Sequence, residues 1–167
     1  MAEKSGKRVL FVATAQPGDE EMRTRIEAHR RSRPAGWLTL EAPSHAGTQI
    51  AQEAGNAELV IIDCLTLLVS NVMGNFVSPS GDEVDILLAE KAVSSELDEL
   101  LLCLKKVKAG FLIVTNEVGL GLVPDNALGR AYRDLLGKAN QQLANVADEV
   151  YFMVAGIPVK IKQAQSA

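Results

Sequence analysis

Three uninterrupted apolar runs punctuate the chain: RVLFVAT at residues 8–14, ELVIIDCLT at 58–66 and FLIVT at 111–115. Each is short and bounded by turn-forming or polar residues. Each is also apolar at consecutive positions, as expected of a strand buried on both faces of a parallel sheet. Two further segments read as strands: WLTLE at 37–41, by alternation, and EVYFMVA at 149–155. Between the strands lie amphipathic stretches at 19–37, 45–55, 83–108 and 126–147, whose apolar residues recur with helical spacing. In the third of these, Leu87, Leu88, Val93, Leu97, Leu100, Leu101 and Leu104 are expected in the core. Residues 65–77 are apolar and then loosen without a clear period, and 78–82 (SPSGD) read as an exposed loop. Gly156-Ile157-Pro158 reads as a turn before a short final strand at 159–162, the two last strands forming a hairpin. The terminal QAQSA is expected to fray. Alternating strands and helices predict an α/β fold with a mostly parallel sheet, its ligand at the carboxyl edge of the strands.

A length of 167 residues with 47% hydrophobic content suits a single domain with a sizeable core. Formal net charge is -4, so no overall electrostatic attraction to nucleic acid is expected, and 4% aromatic residues supply few stacking platforms for bases. Cys64 and Cys103 lack metal-ligand spacing and read as reduced cysteines of an apolar interior. No apolar run is long enough to span a bilayer. The charged start MAEKSGKR is not followed by a signal-peptide core with a cleavage site, so a cytoplasmic chain is expected. AEKSGK resembles the tail of a helix running straight into a strand, as though the chain opened in mid-fold.

The stretch at 19–37, DEEMRTRIEAHRRSRPAGW, concentrates the chemistry. Asp19 is a candidate N-cap, Glu20 and Glu21 favour the first turn, Arg30, Arg31 and Arg33 favour the last, and Pro34 stops the helix. Met22, Ile26 and His29 share one face, which places the histidine inward or along a cleft edge. A histidine so placed is either a satisfied boundary residue or a functional one. Arg25, Arg30, Arg31 and Arg33 around it suit bidentate phosphate recognition and would favour the neutral ring, making His29 a phosphoryl or nucleotidyl acceptor candidate. Asp63 ends an apolar strand as the Mg²⁺-orienting carboxylate of nucleotide-binding sheets does, although ordinary strands end in Asp too. Glu41 closes the strand at 37–41. The Asn116-Glu117 pair ends another strand. TNEVGLGLVP lacks the third glycine of a dinucleotide-binding fingerprint and has Pro124 in its place.

Five blocks together resemble the bifunctional adenosylcobinamide kinase/adenosylcobinamide-phosphate guanylyltransferase family: VLFVATAQ at 9–16, the stretch at 19–37, VIIDCLT at 60–66, VTNEVGLGLVP at 114–124 and DEVYFMVAGIPVKIK at 148–162. The resemblance spans nearly the whole chain. It implies a RecA-like P-loop NTPase fold, a homotrimer and two reactions of adenosylcobalamin assembly. One phosphorylates adenosylcobinamide with ATP or GTP. The other transfers GMP from GTP to adenosylcobinamide phosphate through a guanylyl-histidine, and His29 matches that histidine. Ala13, Thr14, Ala15, Arg30, Arg31, Ser32 and Arg33 match segments around the family's GTP site, and Glu41 and Asp63 match its acidic nucleotide-contacting positions. Mg²⁺ would accompany the nucleotide, with Asp63 as a possible contact. Asp63 stands where the family often has Glu, which shortens the carboxylate's reach.

The family's opening strand, G-x-x-x-x-G-K-[ST] phosphate loop and helix have no counterpart in these 167 residues. Ser5-Gly6-Lys7 has Arg8 in place of the hydroxyl residue and a strand after it, and Gly137-Lys138 is followed by Ala139. Without a phosphate cradle, kinase activity of this chain alone is expected to be negligible and guanylylation of His29 weakened. A sheet lacking the first strand is expected to leave an edge open. The alternative function is a noncatalytic nucleotide-binding or assembly subunit of the same fold.

Overall fold

The computed structural model describes residues 2–78 and 83–163. Most of the expected loop at 78–82 and of the fraying tail therefore lies outside the described residues. Strands β1 (Val9–Ala13), β2 (Leu38–Glu41), β3 (Leu59–Asp63) and β4 (Gly110–Val114) form a parallel sheet in the order β2-β1-β3-β4. The three apolar runs became β1, β3 and β4, and the expected α/β class is the observed one. β4 is an edge, paired on one side with β3 and with no second partner among the described residues.

Strand alternation divides the interior into two unequal parts. Leu10, Val12, Val60 and Ile62 point to one face and enter the main core, built with helices α2 (Ala46–Glu53), α3 (Leu65–Gly74), α4 (Ile86–Lys106) and α5 (Ala127–Val146). Val9, Phe11, Ala13 and Ile61 point to the other face and make a small cluster with Ala2, Trp37, Leu59 and Leu112. Helix α1 (Glu20–Arg31) buries none of its residues.

Helix α3 occupies the stretch whose period was unreadable. Leu65, Thr66, Leu68, Val69, Val72 and Met73 are all buried, and a helix enclosed on several sides has no polar stripe to reveal its period. In α4 the expected core residues Val93, Leu97 and Leu100 are buried, whereas Leu87 and Leu88 are exposed. Helix α1 is shorter than the expected 19–37. Asp19 caps it as expected, its carboxylate accepting from the Met22 N–H at 2.7 Å. The helix ends at Arg31, before Pro34, because the Ser32 hydroxyl donates to the His29 carbonyl at 2.8 Å and the residue before a proline resists helical geometry. Arg33 and Trp37 thus belong to the connection into β2.

The last two strands, β5 (Val150–Val154) and β6 (Ile157–Lys162), form a separate antiparallel hairpin. Its turn is the pair Ala155-Gly156, both at positive φ (48° and 79°), as a two-residue hairpin turn requires. The expected turn through Pro158 was one step too late. Pro158 lies in β6 opposite Met153, tolerated because β6 pairs on one side only.

Helices α2 and α4 meet closely. A Cβ on Gly47 would lie 2.4 Å from the backbone carbonyl of Glu99. His45 precedes α2 in the left-handed region (φ 50°) and offers no side-chain cap. The buried Glu96 carboxylate of α4 caps α2 instead, accepting the backbone N–H groups of His45 at 2.6 Å and Ala46 at 2.7 Å. Two destabilisations are expected in urea unfolding. Gly47→Ala forces two backbones apart and should cost about 3 kcal/mol, the upper end for overpacking. Glu96→Ala orphans two N–H groups at a helix start and should cost about 2–4 kcal/mol. An unchanged midpoint for either variant would contradict this account of the α2–α4 contact.

Candidate active site at the sheet edge

In-register pairing brings three strand ends together. Ala13 is opposite both Glu41 and Asp63, so the two acidic residues flank the end of β1. Beyond them the chain is tied down. The Thr14 hydroxyl accepts the Cys64 N–H and donates to the Cys64 carbonyl, both at 2.8 Å, across a cis Asp63–Cys64 peptide. The Asn71 side-chain amide donates to the carbonyls of Thr14 (2.7 Å) and Pro43 (3.1 Å).

Over this edge lies the last turn of α1. His29 Nε2 is 3.7 Å from Asp63 Oδ2, and Arg30 Nη1 is 3.8 Å from Glu41 Oε1. Both separations exceed a hydrogen bond and leave the geometry unfixed; the Arg30–Glu41 contact pairs opposite charges. The His29 ring meets Phe11 edge to face, with centroids 5.7 Å apart and planes at 65°. The Arg33 guanidinium carbon is 4.1 Å from the Phe11 centroid. Trp37 stacks beside the same ring at 6.1 Å and 21°. Burial pushes the Arg33 pKa down, while the carboxylates of Asp63 and Glu41 hold it up against the neighbouring Arg30. Arg33 remains a cation at physiological pH. Its Nε–H is buried and has no hydrogen-bond acceptor among the described residues.

His29, Arg30, Arg33, Glu41 and Asp63 are therefore brought together, with Ala13 beneath them. The side chain of His29 is half exposed, so of its two expected positions the inward one does not hold. Arg31 and Arg25 do not crowd the imidazole, because each pairs with the acid four residues earlier, Glu27 at 3.2 Å and Glu21 at 2.9 Å. Ser32 is engaged with the helix end. Thr14 is fully buried and its hydroxyl is committed to Cys64, while Ala15 is half-buried in the turn that follows. Asn116 and Glu117, one strand further along, make structural contacts: the Asn116 N–H donates to Thr66 Oγ1 of α3 (2.9 Å), and Glu117 Oε1 accepts the Gly119 N–H of its own loop.

Phe11 and Trp37 escaped the sequence reading. Alternation placed Phe11 with Val9 and Ala13 on one face, but nothing in the pattern revealed that a histidine and an arginine would fold back onto it. Among the described residues no group of three or more His, Cys, Asp or Glu side chains converges to hold a metal.

Known proteins resemble the chain over almost its full length. The family described as cobinamide kinase / cobinamide phosphate guanyltransferase matches residues 1–161. The bifunctional adenosylcobalamin biosynthesis protein CobU of Escherichia coli K12 is 40% identical over 156 residues, covering 93% of this chain and 86% of that protein. Its Salmonella typhimurium namesake is 39% identical over the same shares. The bifunctional adenosylcobalamin biosynthesis protein CobP of Pseudomonas aeruginosa is 37% identical over 164 residues, covering 97% of this chain and 87% of that protein. With the strand-edge histidine, its two arginines and the α/β sheet in place, the chain belongs to the cobinamide kinase / cobinamide phosphate guanyltransferase family.

Proposed function

We propose that this chain acts in adenosylcobalamin biosynthesis as a nucleotidyltransferase, with His29 as the covalent guanylyl acceptor between GTP and adenosylcobinamide phosphate. The observation that carries the reading is the position of His29: half exposed at the carboxyl edge, 3.7 Å from Asp63 and flanked by Arg30 and Arg33. In the first step a neutral imidazole nitrogen attacks the α-phosphorus of GTP. An N–P bond forms, the bond from that phosphorus to the bridging oxygen breaks, and pyrophosphate leaves with the electron pair. In the second step a phosphate oxygen of adenosylcobinamide phosphate attacks the same phosphorus, the N–P bond breaks and the imidazole is restored. Arg30 and Arg33 lie where they can take the charge that builds on the phosphate oxygens.

Two carboxylates beside an incoming triphosphate call for a counter-charge. Mg²⁺ is commonly held by one or two carboxylates together with substrate phosphates, and a lone Asp63 fits an ion that arrives with the nucleotide better than a resident metal. When bound, such an ion would neutralise phosphate charge. Asp63 would contact it, and Glu41 would hold Arg30 over the edge.

The kinase reaction stands differently. Ser5 ends a 3-10 turn, Gly6 caps it at φ 66°, and β1 follows. Gly137 and Lys138 lie inside α5, with the lysine paired to Glu90. Neither can cradle a phosphate. The assembly expected with this reading is a homotrimer in the cytoplasm. Among the described residues no helix is long and apolar enough to cross a membrane.

Three outcomes are expected. After incubation with Mg²⁺ and GTP labelled at the α-phosphate, the protein should retain acid-labile label, and His29→Ala should abolish it. GTP binding without an adduct would favour the noncatalytic nucleotide-binding subunit instead. Arg33→Lys, which replaces a planar fork by a point charge, should slow labelling about 10²-fold. A polypeptide of these 167 residues alone should transfer no measurable γ-phosphate from ATP to adenosylcobinamide, and turnover in that assay would overturn the argument from the phosphate loop.

A further inference from the structure

We propose that Phe11 is a positioning residue that sets the guanylyl acceptor and its arginine in one fixed relation, an inference that rests on the reading of His29 above. Helix α1 buries no residue, so packing of its own does not place its last turn. The ring that the turn meets is Phe11, edge to face with His29 at 5.7 Å and beneath the Arg33 guanidinium at 4.1 Å. Phe11 itself is held firmly. It is 5% exposed, sits at the middle of β1, and is paired in register with Thr39 of β2 on one side and Ile61 of β3 on the other. Trp37 stacks beside it.

The aromatic ring does more than fill space. Its face carries negative potential and its edge positive, so it attracts a cation above and orients a neighbouring ring. The buried Arg33 Nε–H has no hydrogen-bond acceptor among the described residues, and the π-face of Phe11 lies against the guanidinium beside the more distant charges of Asp63 and Glu41. Because both groups rest on one rigid ring, a shift of one relative to the other is resisted. Leucine at position 11 would preserve apolar bulk but supply no aromatic ring for Arg33 or His29 to rest against. Tyrosine would preserve both.

The test has an arm that needs no activity. His29 and His45 are the only histidines, so their ring resonances can be separated by nuclear magnetic resonance, and His45 serves as an internal control because it contacts Glu99 on another surface. Wild-type protein should show nuclear Overhauser contacts between the rings of His29 and Phe11. In Phe11→Leu the His29 resonances should move while those of His45 stay, and Phe11→Tyr should keep the wild-type pattern. In the second arm, single-turnover labelling at saturating α-labelled GTP should fall about tenfold in Phe11→Leu and recover in Phe11→Tyr. Absence of the wild-type Overhauser contacts would overturn the proposal, as would unchanged His29 resonances and labelling rate in a folded Phe11→Leu. Should wild-type protein take no label at all, the guanylyl-transfer reading fails, while the Overhauser contacts still decide whether Phe11 and His29 meet.

Discussion

The arrangement at the carboxyl edge depends on a knot of two side chains. Thr14 closes a pair of hydrogen bonds onto Cys64, and Asn71 spans the carbonyls of Thr14 and Pro43. These contacts join the chain just past β1, β2 and β3. Three strands that would otherwise diverge as they leave the sheet are held level there, and Ala13, Glu41 and Asp63 end side by side as a result. Thr14 is fully buried, and Asn71, Cys64 and Pro43 are half-buried, so water competes less for these hydrogen bonds than at the open surface, and breaking one at Thr14 would leave a buried polar group without a partner. A buried threonine in this position is therefore part of the site's foundation, with no hydroxyl left to offer a ligand.

The sheet is thick on one face and thin on the other. Four helices stand on the main-core face, and the opposite face carries a small apolar cluster on which His29, Arg33 and Trp37 converge. Charged groups on the thin face keep contact with water while gaining an aromatic surface to rest on. Deep burial would have imposed a large desolvation cost on two arginines and two carboxylates.

Much of the fold was legible because β1, β3 and β4 are apolar at consecutive positions and turn residues bound them. The misses have physical causes. Helix α3 is enclosed by sheet and helices, so uniform apolarity hid its period. The end of α1 was set by a serine hydroxyl and a proline acting together, while the charge pattern alone suggested a longer helix. Gathering of His29, Arg30, Arg33, Glu41 and Asp63 followed the family resemblance, yet which arginines would be available could have been read locally. Arg25 and Arg31 have glutamates four residues before them, whereas Arg30 and Arg33 have Ile26 and His29. Phe11 was not legible, since its role arises from a chain reversal after Ser32 that no periodicity encodes.

Helix α1 carries His29 to the sheet edge without burying a residue of its own in the core. Folding free energy is consequently drawn from the strands and the other four helices, while α1 adds little to it. Substitutions on its exposed face are therefore tolerated by the fold itself, whatever they do at the sheet edge.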